Sequence, residues 1–145
     1  MIIRKATTND IGAIISLGLE FGIESQPVHT MSVSPGCISR VVHLALEDPN
    51  SVLLVLEIDG VIQGLIYGMV LSPFFSNELV LQELAFYSRK RKRGILLLDA
   101  FEREAKRLGV KKIVMGCKPK YCDLRRLYEY KGYKLLENQY LKVEV

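Results

Sequence analysis

The residues with the clearest chemical potential are five consecutive cations followed by a glycine. They are Arg89, Lys90, Arg91, Lys92 and Arg93, with Gly94 and Ile95 next in the chain. The net charge of the chain is only +4, so the residues outside this run are slightly acidic in sum. A dense cluster of cations suits a compact polyanion, whereas nucleic-acid binders usually spread their cations along one face of the protein. The run therefore favours a small phosphate-bearing ligand.

The cationic run lies between a strand pattern and a helix pattern. Residues 78–87 are rich in strand formers, and apolar residues recur at helical spacing over 94–108 until Gly109 ends the helix. The first amides of a helix are unpaired and carry the positive end of its dipole, so a loop that enters a helix can hold phosphate. Taken without this context, the run is better explained as a solvated basic turn, a nucleic-acid patch or a localisation signal, and it is the position between strand and helix that favours anion binding.

The rest of the chain predicts an ordered series of strands and helices. The predicted elements are a strand at 2–6, a helix at 10–21, a helix from Ser34 to before Pro49, strands at 52–58, 61–71 and 78–87, a helix at 94–108, a strand at 110–117, a helix at 123–131, and a closing hairpin of strands at 133–136 and 140–145. This order predicts one α/β domain over 1–145, with a mixed, mostly antiparallel sheet flanked by helices.

The strand, basic loop, helix and following strand resemble the core of the GNAT acyltransferases. In that family a strand ends in an R/Q-x-x-G-x-G/A loop, the next helix contains paired leucines, and a later motif resembles LYxxxGF. The matching residues are Arg89 and Gly94 in the loop, Leu97 and Leu98 in the helix, and Leu127, Tyr128, Gly132 and Tyr133 in the later motif. The order of elements agrees over essentially the whole chain, so the resemblance implies the GNAT fold.

The loop departs from the family pattern at one position. Lys92 stands where the pattern has its middle glycine, and the stretch from Glu83 to the loop is shorter than is usual. If the strand rather than the helix sets the register, Arg91 or Arg93 replaces Arg89 as the leading residue of the loop. A shortened loop is expected to bind a pyrophosphate less tightly.

The resemblance implies that acetyl-coenzyme A is the acyl donor. Its phosphates would meet the cationic run, Gly94 and Ile95. Its pantetheine arm would lie along the strand at 78–87, against the backbone of Leu84, Ala85 and Phe86, beside a splayed strand at 110–117.

Two side chains are the candidates for proton transfer. Tyr128 matches the position from which family members often donate a proton to the departing thiolate, although a core tyrosine with a satisfied hydroxyl is the plainer interpretation. A protonated amine cannot attack until it loses a proton, so a base is also needed. Glu83 is the leading candidate because it lies beside the implied pantetheine path and family members often use an acidic residue on that strand. Glu78 and Glu57 are lesser candidates.

The acceptor site is expected in the least regular segments, which are residues 21–35 and the turn at 73–75. Gln26, His29 and Phe74 could line it, although ordinary roles in surface loops fit each of them as well. No residue identifies the acceptor.

Composition narrows the class of protein further. A chain of 145 residues that is 49% hydrophobic and 25% charged is typical of one globular domain. The apolar stretches are too short or too interrupted to span a bilayer and no secretory signal pattern is present, so we expect a soluble, cytoplasmic protein. The three cysteines form no CxxC pair and lie far from both histidines in sequence, so no metal site is expected.

These observations predict an N-acetyltransferase that acetylates a primary amine by direct attack on acetyl-coenzyme A, without a metal or a covalent enzyme intermediate. The alternative is an inactive GNAT-fold binding module whose basic loop holds nucleic acid or a protein partner. Lys92 at a glycine position motivates this alternative, and further cations support it. Those cations are Lys118, Lys120, Arg125 and Arg126. The pattern at 140–145 fits either a protected edge strand or a strand that pairs across a homodimer.

Overall fold

A computed structural model describes residues 1–25, 31–118, 122–142 and 144–145. The strands in these residues are β1 (Ile2–Lys5), β2 (Ser51–Ile58), β3 (Val61–Leu71), β4 (Val80–Ser88) and β5 (Lys112–Val114), and the α-helices are α1 (Ile11–Ser25), α2 (Pro35–Glu47), α3 (Gly94–Arg107) and α4 (Cys122–Tyr130). The strands form one sheet in the order β1-β2-β3-β4-β5, in which only the β4–β5 pair is parallel. The predicted mixed, mostly antiparallel α/β sheet is confirmed.

Helices cover both faces of the sheet. Along β2, Leu53 and Val55 pack with α1 and α2, whereas Leu54 and Leu56 pack with α3 and α4. Successive side chains of a strand point to opposite faces, so this alternation assigns the two helix pairs to opposite sides. Burial on both sides explains why β2 is an almost continuous apolar run rather than an alternating one.

Local signals in the sequence fix several boundaries of these elements. Asp59 and Gly60 have φ angles of 51° and 77° and form the predicted two-residue hairpin turn between β2 and β3. The Ser34 hydroxyl accepts a hydrogen bond from the Cys37 N–H at 3.2 Å, which caps α2 ahead of Pro35. No helix in the described ranges is both long enough and apolar enough to cross a membrane.

The predicted closing hairpin is not formed. No strand occurs in residues 133–142 or 144–145, which the structure describes. Leu135, Leu136 and Tyr140 are 84%, 72% and 93% exposed, so the segment lacks the buried face that would fix a hairpin register. The prediction for 110–117 was also too long, because β5 covers only Lys112–Val114.

Candidate active site

A gap opens between β4 and β5 in the middle of the sheet. The two strands pair from Val80–Lys112 to Gln82–Val114, and β5 then ends while β4 continues to Ser88. From Glu83 onward, the described chain provides no strand on this side of β4. The short β5 therefore gives the splayed arrangement expected from the sequence, with an unpaired strand edge along one wall.

A β-bulge lies where the gap begins. Tyr67 pairs with Ala85 and Gly68 pairs with Glu83, so Leu84 is an extra residue without a partner on β3. A Cβ on Gly68 would come within 2.6 Å of the Gln82 carbonyl oxygen, so only glycine fits on the opposite strand. Bulges bend a strand and redirect its side chains, and here Leu84 is left 49% exposed.

Glu83 lies immediately before the bulge and is held by the backbone across the gap. Its Oε2 accepts a hydrogen bond from the Gly116 N–H at 2.9 Å. Burial disfavours the charged carboxylate and raises the pKa of Glu83 to about 7, although the Gly116 hydrogen bond opposes the shift. A Cβ on Gly116 would lie 3.1 Å from Oε2, so the carboxylate is seated tightly against this glycine.

Tyr128 contacts the same glycine from α4. Its hydroxyl donates a hydrogen bond to the Gly116 carbonyl oxygen at 3.0 Å, and the residue is only 7% exposed. Burial and, second, the nearby Glu83 carboxylate raise the pKa of Tyr128 above its ordinary value. The two predicted proton-transfer residues therefore meet at Gly116, where Glu83 binds the N–H and Tyr128 binds the C=O.

This geometry is compatible with both interpretations of Tyr128. Its hydroxyl is satisfied and its ring packs in the core, with the Tyr133 ring centroid 5.6 Å away, as a structural tyrosine requires. The Tyr128 hydroxyl also contacts Gly116, the residue that binds Glu83, and this places it near the gap, as a proton donor there requires. Gly116 itself was not singled out from the sequence, because a glycine near the end of a strand is an ordinary turn signal.

The other acidic candidates are engaged elsewhere. Glu57 on β2 forms an ion pair with Arg4 at 3.3 Å, and Glu78 forms an ion pair with Lys112. Of the three acidic candidates, Glu83, Glu78 and Glu57, Glu83 alone hydrogen-bonds to Gly116 in the described residues.

The backbone of the basic loop is wound into a 3-10 turn. Two of its N–H groups bond ahead of the turn, Arg89 to the Gln63 carbonyl oxygen and Lys90 to Ser88 Oγ. Two more bond within the turn, Arg93 to the Lys90 carbonyl oxygen and Gly94 to the Arg91 carbonyl oxygen. Four amides of the loop are therefore already bonded to protein, which reduces the phosphate cradle that the sequence suggested. α3 begins at Gly94, whose N–H is already bonded to Arg91 O, and continues with Ile95. The first amides of a helix have no partner within the helix itself.

The five cations of the loop line a shallow cleft of about 480 Å³. They do not share one environment. Arg89 is bound to Glu20 on α1, with Nε 2.9 Å from Oε2 and Nη2 2.5 Å from Oε1. Arg93 is exposed, as are Lys90, Arg91 and Lys92, but its Nη1 also lies 2.9 Å from Met1 Sδ. The ion pair with Glu20 holds Arg89 against α1.

The remaining residues predicted along β4 divide between the two faces of the sheet. Phe86 is buried on the α3 side, where an added Cβ on Gly94 would lie 3.5 Å from its Cζ, so the start of α3 packs on this ring. Ala85 packs on the α1 side. Leu84 also lines a cavity with residues of α1 and α2.

This second cavity, which we call the α1–α2 cavity, has a volume of about 450 Å³. Its lining is apolar apart from one glycine, one cysteine and one tyrosine. The lining residues are Ile14, Gly18, Phe21, Cys37, Ile38, Val41, Val42, Ala45, Leu53, Leu65, Tyr67, Leu84 and Ala85. Of these, only Phe21 belongs to the segments in which the sequence placed an acceptor site. The others are spaced as ordinary core residues, so their spacing alone does not indicate a cavity.

Phe74, the one described residue of the three named for the acceptor site, does not line the α1–α2 cavity. Phe74 is fully exposed and Phe75 is 88% exposed, on the turn between β3 and β4. Gln26 and His29, as well as the cation Lys120, lie outside the residues that the structure describes.

The chain resembles solved acetyltransferase structures over its whole length. A protein from Clostridium acetobutylicum that is described as a predicted acetyltransferase, determined with acetyl-CoA, has 18% identity and a TM-score of 0.77, with 99% of this chain and 95% of that chain covered. Glucosamine-6-phosphate N-acetyltransferase from Arabidopsis thaliana has 19% identity and a TM-score of 0.74, with 97% and 96% covered. Aminoglycoside 6'-N-acetyltransferase from Acinetobacter haemolyticus has 13% identity and a TM-score of 0.76, with 100% and 99% covered.

No family model and no curated protein matches the sequence. Identities this low establish the fold rather than the activity. The chain has the GNAT acyltransferase fold, as its loop and helix motifs predicted.

Proposed function

We propose that this protein is an N-acetyltransferase that transfers an acetyl group from acetyl-coenzyme A to a primary amine. The observation that carries the proposal is the convergence of Glu83 and Tyr128 on Gly116 beside the gap between β4 and β5. Two structures of similar fold support the same class of reaction: one is named glucosamine-6-phosphate N-acetyltransferase, and the other is described as a predicted acetyltransferase and was determined with acetyl-CoA.

The residues around the gap fit acetyl-coenzyme A. Beyond Gln82, the edge of β4 has no strand partner in the described chain, and backbone polar groups on such an edge can pair with an extended, amide-containing arm. Lys90, Arg91 and Lys92 are exposed beside the start of α3 and would attract the phosphates. When bound, acetyl-coenzyme A supplies a thioester, an activated acyl group that a neutral amine can attack.

Glu83 acts as the general base in this proposal. A carboxyl group with a pKa of about 7 is roughly half ionised at neutral pH, which balances the amount of base against its strength. The Gly116 N–H holds Oε2 and so orients the carboxylate. The amine proton passes to Glu83, directly or through one water, and the nitrogen lone pair becomes available for attack.

Tyr128 stabilises the departing thiolate. Its raised pKa keeps the hydroxyl protonated at neutral pH, and in this proposal its one proton turns from the Gly116 carbonyl oxygen to the sulfur as the thiolate forms. Thiols are more acidic than tyrosine, with reference pKa values of about 8.5 and 10, so complete proton transfer to sulfur is uphill. Hydrogen bonding to the charge that develops on sulfur is therefore the main contribution of Tyr128.

The first test is calorimetric titration with acetyl-coenzyme A. The wild type is compared with a loop variant carrying Lys90→Ala, Arg91→Ala and Lys92→Ala. Loss of three charge-assisted contacts should weaken binding by at least about 30-fold. A matched variant removes three exposed cations near the other end of α3, at Arg103, Lys106 and Lys111, and should bind as the wild type does.

Two outcomes contradict the proposal. One is a folded wild-type protein that binds no acetyl-coenzyme A. The other is binding that weakens equally in both triple variants, because that result reports net charge rather than a site at the loop.

A further inference from the structure

The α1–α2 cavity has the properties of a binding site rather than of a packing defect. Its volume of about 450 Å³ lies within the range of small-molecule sites, and it opens to solvent rather than being a sealed void. Its floor is fully apolar, with Ile14, Val42 and Leu53 between 2% and 8% exposed. Such a space accepts an uncharged group and favours it through burial of apolar surface.

The mouth of the α1–α2 cavity lies at the β-bulge. Among the lining residues, Leu84 and Cys37 are exposed, whereas those of the floor are buried. Leu84 and Ala85 directly follow Glu83 in β4. A molecule seated in the cavity therefore reaches solvent within one or two residues of the proposed base, a distance of roughly 3–7 Å along a strand.

We propose that the α1–α2 cavity binds the apolar group of the acceptor, and that the acceptor is a primary amine with one aromatic ring or branched aliphatic chain and no second charge. This inference rests on the proposed function, because the amine nitrogen must lie where Glu83 can take its proton. The substituent on that nitrogen then lies beside Leu84 and Ala85, at the cavity mouth.

The apolar lining also excludes whole classes of amine. A polyamine or an aminosugar would carry a second ammonium or several hydroxyls into a space whose lining has no carboxylate and only two polar side chains, Tyr67 and Cys37. The free energy needed to bury an unpaired charge is far larger than the free energy gained by contact with apolar side chains. The chemistry of this lining therefore separates the protein from the aminoglycoside acetyltransferases whose fold it shares.

The position of the cavity favours the acceptor over a long acyl chain of the donor. Lys90, Arg91 and Lys92 flank the start of α3, and the Tyr128 hydroxyl comes from α4, so the groups assigned to the donor belong to the α3–α4 side. The α1–α2 cavity lies on the opposite face of the sheet. Donor and acceptor would thus approach the gap from different faces.

The test begins with binding to the protein in the absence of any donor. Spectra of the free protein, recorded by heteronuclear NMR, are followed during titration with 2-phenylethylamine, ethanolamine or spermidine. We expect shifts at residues that line the α1–α2 cavity with 2-phenylethylamine, and none there with the other two amines. Shifts at another surface, or equal shifts with ethanolamine, would overturn the inference.

Two substitutions on α2 make the test specific. Val41→Phe places a ring in the lining of the cavity, whereas Leu44→Phe adds the same ring to the outer face of the helix, where Leu44 is 58% exposed. Val41→Phe should weaken binding of 2-phenylethylamine by at least about 10-fold, because the added ring obstructs part of the apolar space that the ligand ring needs. Leu44→Phe should have no effect. Cys37→Phe, at the exposed mouth, repeats the blockade if Val41→Phe does not fold.

Turnover with acetyl-coenzyme A separates failure of the inference from failure of the proposed function. We expect kcat/KM for 2-phenylethylamine to exceed that for ethanolamine by at least about 100-fold, and Val41→Phe to abolish that preference. If both amines are acetylated equally, the inference is wrong and the proposed function stands. If acetyl-coenzyme A does not bind, both are wrong. A preference for isovaleryl-coenzyme A over acetyl-coenzyme A that Val41→Phe removes would assign the cavity to the donor and overturn the inference.

Discussion

The two faces of the sheet differ in the chemistry that they offer. On the α3–α4 side, Glu83 and Tyr128 hydrogen-bond to one glycine, and exposed cations surround the start of α3. On the α1–α2 side, apolar side chains enclose a cavity without a charged group in its lining. The β-bulge at Leu84 lies between these regions. Under the two proposals, the donor is recognised by its charged phosphates and the acceptor by the uncharged, apolar group that its amine carries.

Removing the proposed base should have the largest effect on the charged side. We expect Glu83→Gln to lower kcat by about 1,000-fold while acetyl-coenzyme A binds as before, because the amide cannot accept the amine proton. In the wild type, kcat at saturating substrates should fall below pH 7, since Glu83 has a pKa of about 7 and loses activity when protonated. Steady-state rates between pH 5.5 and 9 measure both effects.

Glu78→Gln provides the control for this prediction. Glu78 is also acidic and precedes β4, but it pairs with Lys112, so its substitution should change neither the rate nor the pH profile. If kcat of Glu83→Gln still falls below pH 7 as it does in the wild type, another group is the base.

Loss of the Tyr128 hydroxyl should have a smaller effect. We expect Tyr128→Phe to lower kcat by roughly 10- to 100-fold with an unchanged KM for acetyl-coenzyme A, because one hydrogen bond to the thiolate is lost and binding contacts remain. Stopped-flow detection of the released thiol measures the rate, and thermal unfolding measures any change in stability. An unchanged kcat with a lower melting temperature would assign Tyr128 to the core alone.

The smallest expected effect on catalysis concerns the ion pair between Arg4 on β1 and Asp10, which directly precedes α1. Arg4 binds both carboxylate oxygens of buried Asp10, at 2.7 and 2.9 Å, and this bond lowers the pKa of Asp10 to about 2. Arg4→Ala should cost about 2 kcal/mol in the free energy of unfolding and leave kcat unchanged. Lys5→Ala, which removes an exposed partner of Glu104, should cost less than about 0.5 kcal/mol.

The pH dependence of unfolding tests the same ion pair. Asp10 has a lower pKa in the folded state than its ordinary value of 3.8. Its contribution to stability is therefore complete above about pH 4 and is lost as the pH falls toward 2. Urea unfolding at several pH values should show this acid loss in the wild type and little of it in Arg4→Ala. A substantial fall in kcat in Arg4→Ala would show that the seating of α1 on one face of the sheet affects the catalytic residues on the α3–α4 side.

Much of the fold was readable from local signals in the sequence. The Asp59-Gly60 turn, the Ser34-Pro35 helix start and Gly109 at the end of α3 each act through a preference of one or two residues for particular backbone angles. The closing hairpin was not readable in the same way. Alternating apolar residues at 133–145 have strand propensity, but a strand also requires a neighbour and a buried face, and neither is present in the described residues.

The candidate site was predictable only as a set of residue types. The sequence by itself determined that a cationic loop precedes a helix, that Glu83 belongs to the preceding strand and that Tyr128 belongs to a later helix, because propensity and spacing act locally. The tertiary structure decided that Glu83 and Tyr128 meet at Gly116, that Arg89 turns to Glu20 and that apolar residues from two helices and three strands enclose a cavity. These relations depend on where β5 ends and how the helices cross the sheet, and packing between distant segments sets both.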